Sequence, residues 1–157
     1  MRIYVDTSVI GGYFDPEFQF ATQRLFEMFL RGEAQLVLSD LAGPAFEGLP
    51  GDIRAAASGH IERISASPEA ENLGRLYLRA GVIEPTSHIA ALHVAIAAVA
   101  RVDVLVSWDF RDINNLPKIR GCNAVNLRAG YPALEIRPPW AVIPYYDDDP
   151  PMVRPSH

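Results

Sequence analysis

The chain has 157 residues, 49% of them hydrophobic, and a formal net charge of -5. That length and apolar content suit one globular domain with a sizeable core and exclude a disordered body. The acidic balance excludes a broad basic surface for wrapping nucleic acid, because Lys and Arg contacts to phosphate supply most non-specific affinity. Cys122 is the single cysteine, which excludes an internal disulfide framework and points to a reducing, cytoplasmic setting.

The chain opens on MRIYVD with no basic segment followed by an apolar run, so no signal peptide is expected. Arg2 to Val5 is short and β-branched and ends at Asp6-Thr7-Ser8, side chains that favour turns and caps; it reads as a buried strand. Apolar residues recur at helical spacing over residues 18–31, at Phe18, Leu25, Phe26, Phe29 and Leu30, and Gly32 stops that helix.

Residues 35–38 form a second apolar strand, closed by Ser39 and Asp40. Helices are expected over residues 44–66, opened by Pro44, and over residues 69–80, ended by Gly81. Pro85-Thr86-Ser87 reads as the cap of an alanine-rich helix over residues 88–101, expected to be largely buried through Ile89, Leu92, Val94, Ile96 and Val99. Its apolar stretch is broken by His93 and is shorter than the ~20 residues a membrane span requires, so no membrane association is expected.

Residues 103–107 are a third continuous apolar strand, and residues 123–127 a weaker fourth after Arg120-Gly121. A proline-rich tail follows over residues 138–157, leaving residues 1–137 as the domain. Strands alternating with helices imply a mainly parallel sheet covered on both faces, an α/β/α sandwich. In such sheets ligands bind outside the carboxyl ends of the strands.

Asp6, Asp40 and Asp109 each stand just after a strand and are expected on one rim. Clustered carboxylates repel unless cations lie between them, and oxygen donors select Mg²⁺ or Mn²⁺ over softer metals. Such ions activate water and stabilise charge on a phosphodiester. The alternative is that acids at strand ends serve as caps and turn formers. No G-x-G-x-x-G follows the first strand, and Ser8 stands where an aspartyl phosphotransfer site would need a second acid.

The stretch Ile3-Tyr4-Val5-Asp6-Thr7-Ser8-Val9-Ile10 resembles the opening of PIN-domain proteins. Ala91-Leu92-His93-Val94-Ala95 and Val104-Leu105-Val106-Ser107-Trp108-Asp109-Phe110 are similar to later segments of that family, and Asn123 to Leu127 with Gly130-Tyr131-Pro132 to the end of one subgroup. The resemblance implies a parallel sheet between helices, a Mg²⁺- or Mn²⁺-dependent ribonuclease and, as in VapC-like toxins, a cognate antitoxin and a homodimer as partners. It assigns metal-ligand roles to Asp6 and Asp109, with Thr7 or Ser8 as the accompanying hydroxyl.

Two further acids of the family pattern are absent, because Ala45 and Ala90 occupy their positions. Weak cation binding is therefore expected. Glu47 is the nearest replacement for Ala45 and is a third catalytic candidate, although two residues correspond to about 200° around a helix. Asp40, His93 and Asp112 are secondary candidates, and Arg111, Lys118 and Arg120 with Asn114 and Asn115 form a basic and polar stretch suited to phosphate contacts. The expected function is a PIN-like ribonuclease; the alternative is a degenerate module that binds RNA or a protein partner without cleaving.

Overall fold

A computed structural model describes residues 1–149. Five parallel strands form one sheet in the order β3-β2-β1-β4-β5, with β1 at Arg2–Val5, β2 at Gln35–Ser39, β3 at Ile61–Ile64, β4 at Val104–Val106 and β5 at Ile136–Arg137. The helices are α1 (Thr7–Gly11), α2 (Gln19–Leu30), α3 (Gly43–Glu47), α4 (Gly51–Ala57), α5 (Pro68–Arg79), α6 (His88–Val99) and α7 (Leu116–Arg128). The expected three-layer α/β/α sandwich is the fold observed.

Alternation along the central strands divides the core into two halves. Ile3, Val5, Leu36, Leu38, Val104 and Val106 join Leu25, Phe26 and Phe29 of α2 on one face. Tyr4, Val37 and Leu105 point to the other, against Leu73 and Tyr77 of α5, Val94 and Ala95 of α6, and Val125 of α7. Burial on both sides is why these strands read as unbroken apolar runs. Among the described residues no helix is long and apolar enough to cross a membrane.

Two expected elements are corrected. Residues 44–66 are not one helix: α3 ends at Glu47, α4 ends at Ala57, and Ile61–Ile64 pairs in parallel with β2 as an edge strand. Pro50 precedes α4, where its fixed φ suits a helix start rather than a helix interior. Residues 123–127 are not a strand but the body of α7. The Asn115 side chain caps that helix by accepting from the Lys118 amide at 3.1 Å, and buried Cys122, Val125 and Asn126 follow helical spacing. The strand beyond β4 is instead β5, tied to α7 because Asn123 accepts from the Leu134 amide at 2.7 Å and donates to its carbonyl at 3.0 Å.

Residues after Arg137 continue to pack: Ile143 is buried, and Arg24 of α2 donates to Asp149 at 2.8 Å and to the Pro144 carbonyl at 3.2 Å. The rest of the proline-rich tail, residues 150–157, lies outside the described residues.

Helix α6 is largely buried as expected, through Ala91, His93, Val94, Ala95, Ile96, Ala97 and Ala98. Ile89 departs from the expectation at 47% exposure, and Leu92 is only partly buried. Ile96→Ala should therefore cost ~2–5 kcal/mol, because an enclosed side chain leaves a cavity that its neighbours fill only in part. A lowered urea midpoint at unchanged slope checks this.

Candidate functional site

Chain order reverses around β1: β2 and β3 extend the sheet to one side, and β4 and β5 to the other. The carboxyl ends of β1 and β4 therefore meet at the switch point of a parallel sheet, where a crevice opens between diverging connections. Asp6 follows β1, and Ser107, Trp108 and Asp109 follow β4. Asp6 and Asp109 bound an open cleft of about 460 Å³ whose walls include Thr7, Ser8, Leu41, Thr86, Ser87, Ala90, His93 and Asp112.

Two serines weld the strand ends together. Ser107 Oγ donates to Asp6 Oδ2 at 2.5 Å and accepts from the Asp109 amide at 2.9 Å. Ser8 Oγ donates to Asp6 Oδ1 at 2.6 Å and accepts from the Trp108 amide at 2.9 Å. The Val9 amide completes the shell of Asp6 at 3.2 Å, so Asp6 also caps α1. Asn114 Nδ2 donates to the Ser107 carbonyl at 2.9 Å and holds the loop from behind.

Trp108 is a packing residue, 6% exposed, with its indole N–H donating to Thr22 at 2.9 Å and its ring 4.4 Å from that of Phe18. Gly12 makes room for it, since a Cβ there would lie 2.8 Å from the indole nitrogen. That anchor fixes where the chain carries Asp109 next.

Burial pushes the Asp6 carboxyl above its ordinary range, and its hydroxyl and amide donors only partly offset this. Asp109 is raised for the same reason, with repulsion from Asp112 and Asp6 adding to it, while the Asp112 amide donates to Asp109 Oδ1 at 2.9 Å and opposes it. Both acids are thus turn or cap formers and members of one rim at once. Among the described lining residues none is Lys or Arg.

The other candidates divide. Thr7, Ser8, His93 and Asp112 line the cleft, but Asp40 is exposed in the turn after β2 and is not among the lining residues. Glu47 also lies outside the cleft, its side chain 66% exposed and paired with Arg54 at 3.1 Å, as its angular offset from Ala45 on a helix requires. Arg111 and Arg120 are exposed and Lys118 donates to the Val82 carbonyl at 2.7 Å; none of the three lines the cleft.

Of the two alanines, Ala90 lines the cleft, whereas Ala45 packs against the core face containing Val9, Ile10 and Trp108. Ser107, Thr86 and Ser87 were not legible as site residues. Thr86 and Ser87 read as caps, yet Ser87 makes no side-chain capping bond to α6 and both face the cleft.

The oxygen donors fit a hard divalent cation in kind, since Asp6, Asp109 and Asp112 supply only carboxylate oxygen. They are few: among the described residues no three His, Cys, Asp or Glu side chains lie close enough together to hold a metal ion. No protein-family model matches the chain, and no match to a curated protein was found.

Proposed function

We propose that this cleft is the active site of a PIN-like ribonuclease of low cation affinity. The observation that supports this reading most is the pair Asp6 and Asp109, joined through Ser107 at the sheet's switch point and facing an open cleft with no cationic side chain among its described walls. Asp6 and Asp109 would hold Mg²⁺ or Mn²⁺, with Asp112 at the margin. The cation would supply charge neutralisation at a phosphodiester and a more acidic water.

The protein's own groups supply orientation. Ser107 and Ser8 each give a proton to Asp6 and take one from a β4-loop amide, so the Asp6 carboxylate cannot rotate without breaking its hydrogen bond to Ser107 of the other strand, while the Asp112 amide holds the Asp109 carboxylate within its own loop. Such a rim repels the phosphate backbone until a cation binds, which makes RNA affinity depend on the cation. RNA as substrate, a cognate antitoxin and a homodimer are the partners this reading carries. The methyl of Ala90 in the wall favours a second reading, a module that binds RNA or protein and no longer cleaves.

Incubation of the purified chain with a mixed single-stranded RNA pool, with Mn²⁺ or with EDTA, separates the two. Slow Mn²⁺-dependent cleavage, lost in Asp109→Asn, is the expected result, together with a rise in thermal midpoint on adding Mn²⁺. No cleavage and no thermal shift would exclude the nuclease and leave the module.

A further inference from the structure

Four polar side chains cross the core from Ser39 to the cleft, none of them explained by the carboxylate rim. Tyr4, His93 and Ser39 are 0%, 3% and 3% exposed, while Thr7 is exposed and lines the cleft with the edge of His93. Tyr4 OH donates to Ser39 Oγ at 2.8 Å and lies 2.7 Å from His93 Nδ1; His93 Nε2 lies 3.1 Å from Thr7 Oγ1.

The direction of this chain follows from counting protons. A phenol has one, and Tyr4 gives it to Ser39, so the Tyr4 oxygen must accept from His93. His93 then carries its proton on Nδ1, and Nε2 is left as an acceptor. The hydrogen bond to Thr7 therefore uses the Thr7 proton, and the lone pairs of Thr7 Oγ1 remain for the cleft. Burial keeps the ring neutral, with a pKa lowered to about 4 that Asp109 raises only in part, so a second ring proton does not reverse the order at neutral pH.

We infer that Thr7 is a fixed hydrogen-bond acceptor in the cleft, that His93 with Tyr4 and Ser39 is the positioning chain that fixes it, and that its ligand is an O–H donor. Thr7 thereby joins Asp6, Asp109 and Asp112 as an acceptor, and a hydroxyl arriving there has only one way to orient. The donor is either a ribose hydroxyl or a bound water. That choice rests on the nuclease reading; the order of the hydrogen bonds does not.

Histidine ¹⁵N spectra of the whole chain at neutral pH test the order directly, with His93→Gln identifying the signal. The expected result is a protonated Nδ1 in the wild type and a shift toward protonated Nε2 in Tyr4→Phe, where the acceptor for Nδ1 is gone. A wild-type ring protonated at Nε2 overturns the inference, whatever Tyr4→Phe shows.

Affinity for matched single-stranded RNA and DNA oligonucleotides in Mn²⁺ tests the ligand. Thr7→Val should weaken RNA binding on the order of 5-fold, the net worth of one hydrogen bond, and Thr7→Ser should retain it. Loss for RNA alone marks the ribose hydroxyl as donor, and equal loss for DNA marks a water. Unchanged binding of both by Thr7→Val overturns the assignment of Thr7. A wild type that binds neither oligonucleotide defeats the nuclease reading, and the ¹⁵N shifts then decide the hydrogen-bond chain by themselves.

Discussion

Asp6→Asn should abolish cation-dependent RNA cleavage while leaving the fold at least as stable as the wild type. Loss of a partner that merely orients a metal ligand costs 10- to 100-fold, so loss of a ligand should cost ~100-fold or more. Stability moves the other way because the charge itself is what burial opposes. Asn retains an oxygen for Ser8 and the Val9 amide, the donors to Oδ1, and its NH₂ can donate to Ser107 once the Ser107 hydroxyl turns away.

The pH dependence carries the same sign. A carboxyl whose folded pKa is raised contributes stability that is fully present below its unfolded pKa and lost as pH rises through the folded one. Asp6 and Asp109 both act in that sense. His93 acts oppositely: with a folded pKa of about 4, its contribution is present above its unfolded pKa near 6.5 and is lost as pH falls toward 4. The difference in thermal midpoint between wild type and Asp6→Asn, measured across pH without metal, should thus widen as pH rises, because the His93 contribution is common to both. A variant that is equally active, or that fails to fold, would contradict the role given to Asp6.

What could be read from the sequence follows from what each residue meets. Strands β1, β2 and β4 lie inside the sheet and are covered on both faces, so their buried runs Ile3 to Val5, Leu36 to Leu38 and Val104 to Val106 are unbroken by charge and the pattern is unambiguous. Strand β3 is an edge, with Arg63 exposed and Glu62 paired to Arg2 at 2.5 Å; two charged residues in four mask a strand. In α7 the apolar Val125 and the buried polar Asn126, which accepts from Tyr77, lie side by side. A buried asparagine looks like an exposed one until its partner is seen.

The site divides along the same line. Asp6 and Asp109 were legible because parallel strands bring their carboxyl ends to one rim, a rule that needs only strand order. Thr86 and Ser87 reach the cleft from the turn before α6, and only the packing of that helix brings them there, whereas His93 was already a candidate one turn after Ala90. Ala45 and Ala90 looked equivalent as gaps in a ligand set, yet one packs on the α2 side of the sheet and the other faces the cleft.

That difference sets an order for restoring the missing acids. Ala90→Asp should raise Mn²⁺ affinity by ~10- to 100-fold, and Ala45→Glu alone should change it little. A carboxylate at position 90 joins the wall that already holds Asp6, Asp109 and Asp112. At ~4 Å from a cation and an effective dielectric near 20, each charge pair is worth up to about 4 kcal/mol before desolvation and repulsion among the acids are subtracted. Repulsion falls on the metal-free protein: Ala90→Asp should lower its thermal midpoint, and saturating Mn²⁺ should raise it by more than in the wild type. Ala45 is half-buried against the α2-side core, so a glutamate there must displace that packing or turn to solvent. The double variant should therefore bind Mn²⁺ no more tightly than Ala90→Asp does. Calorimetric titration of both singles and the double, with cleavage of the same RNA pool, decides it. If Ala45→Glu proved the stronger single change, or the pair far exceeded the sum of both, position 45 would belong to the cleft and the wall described for it would be wrong.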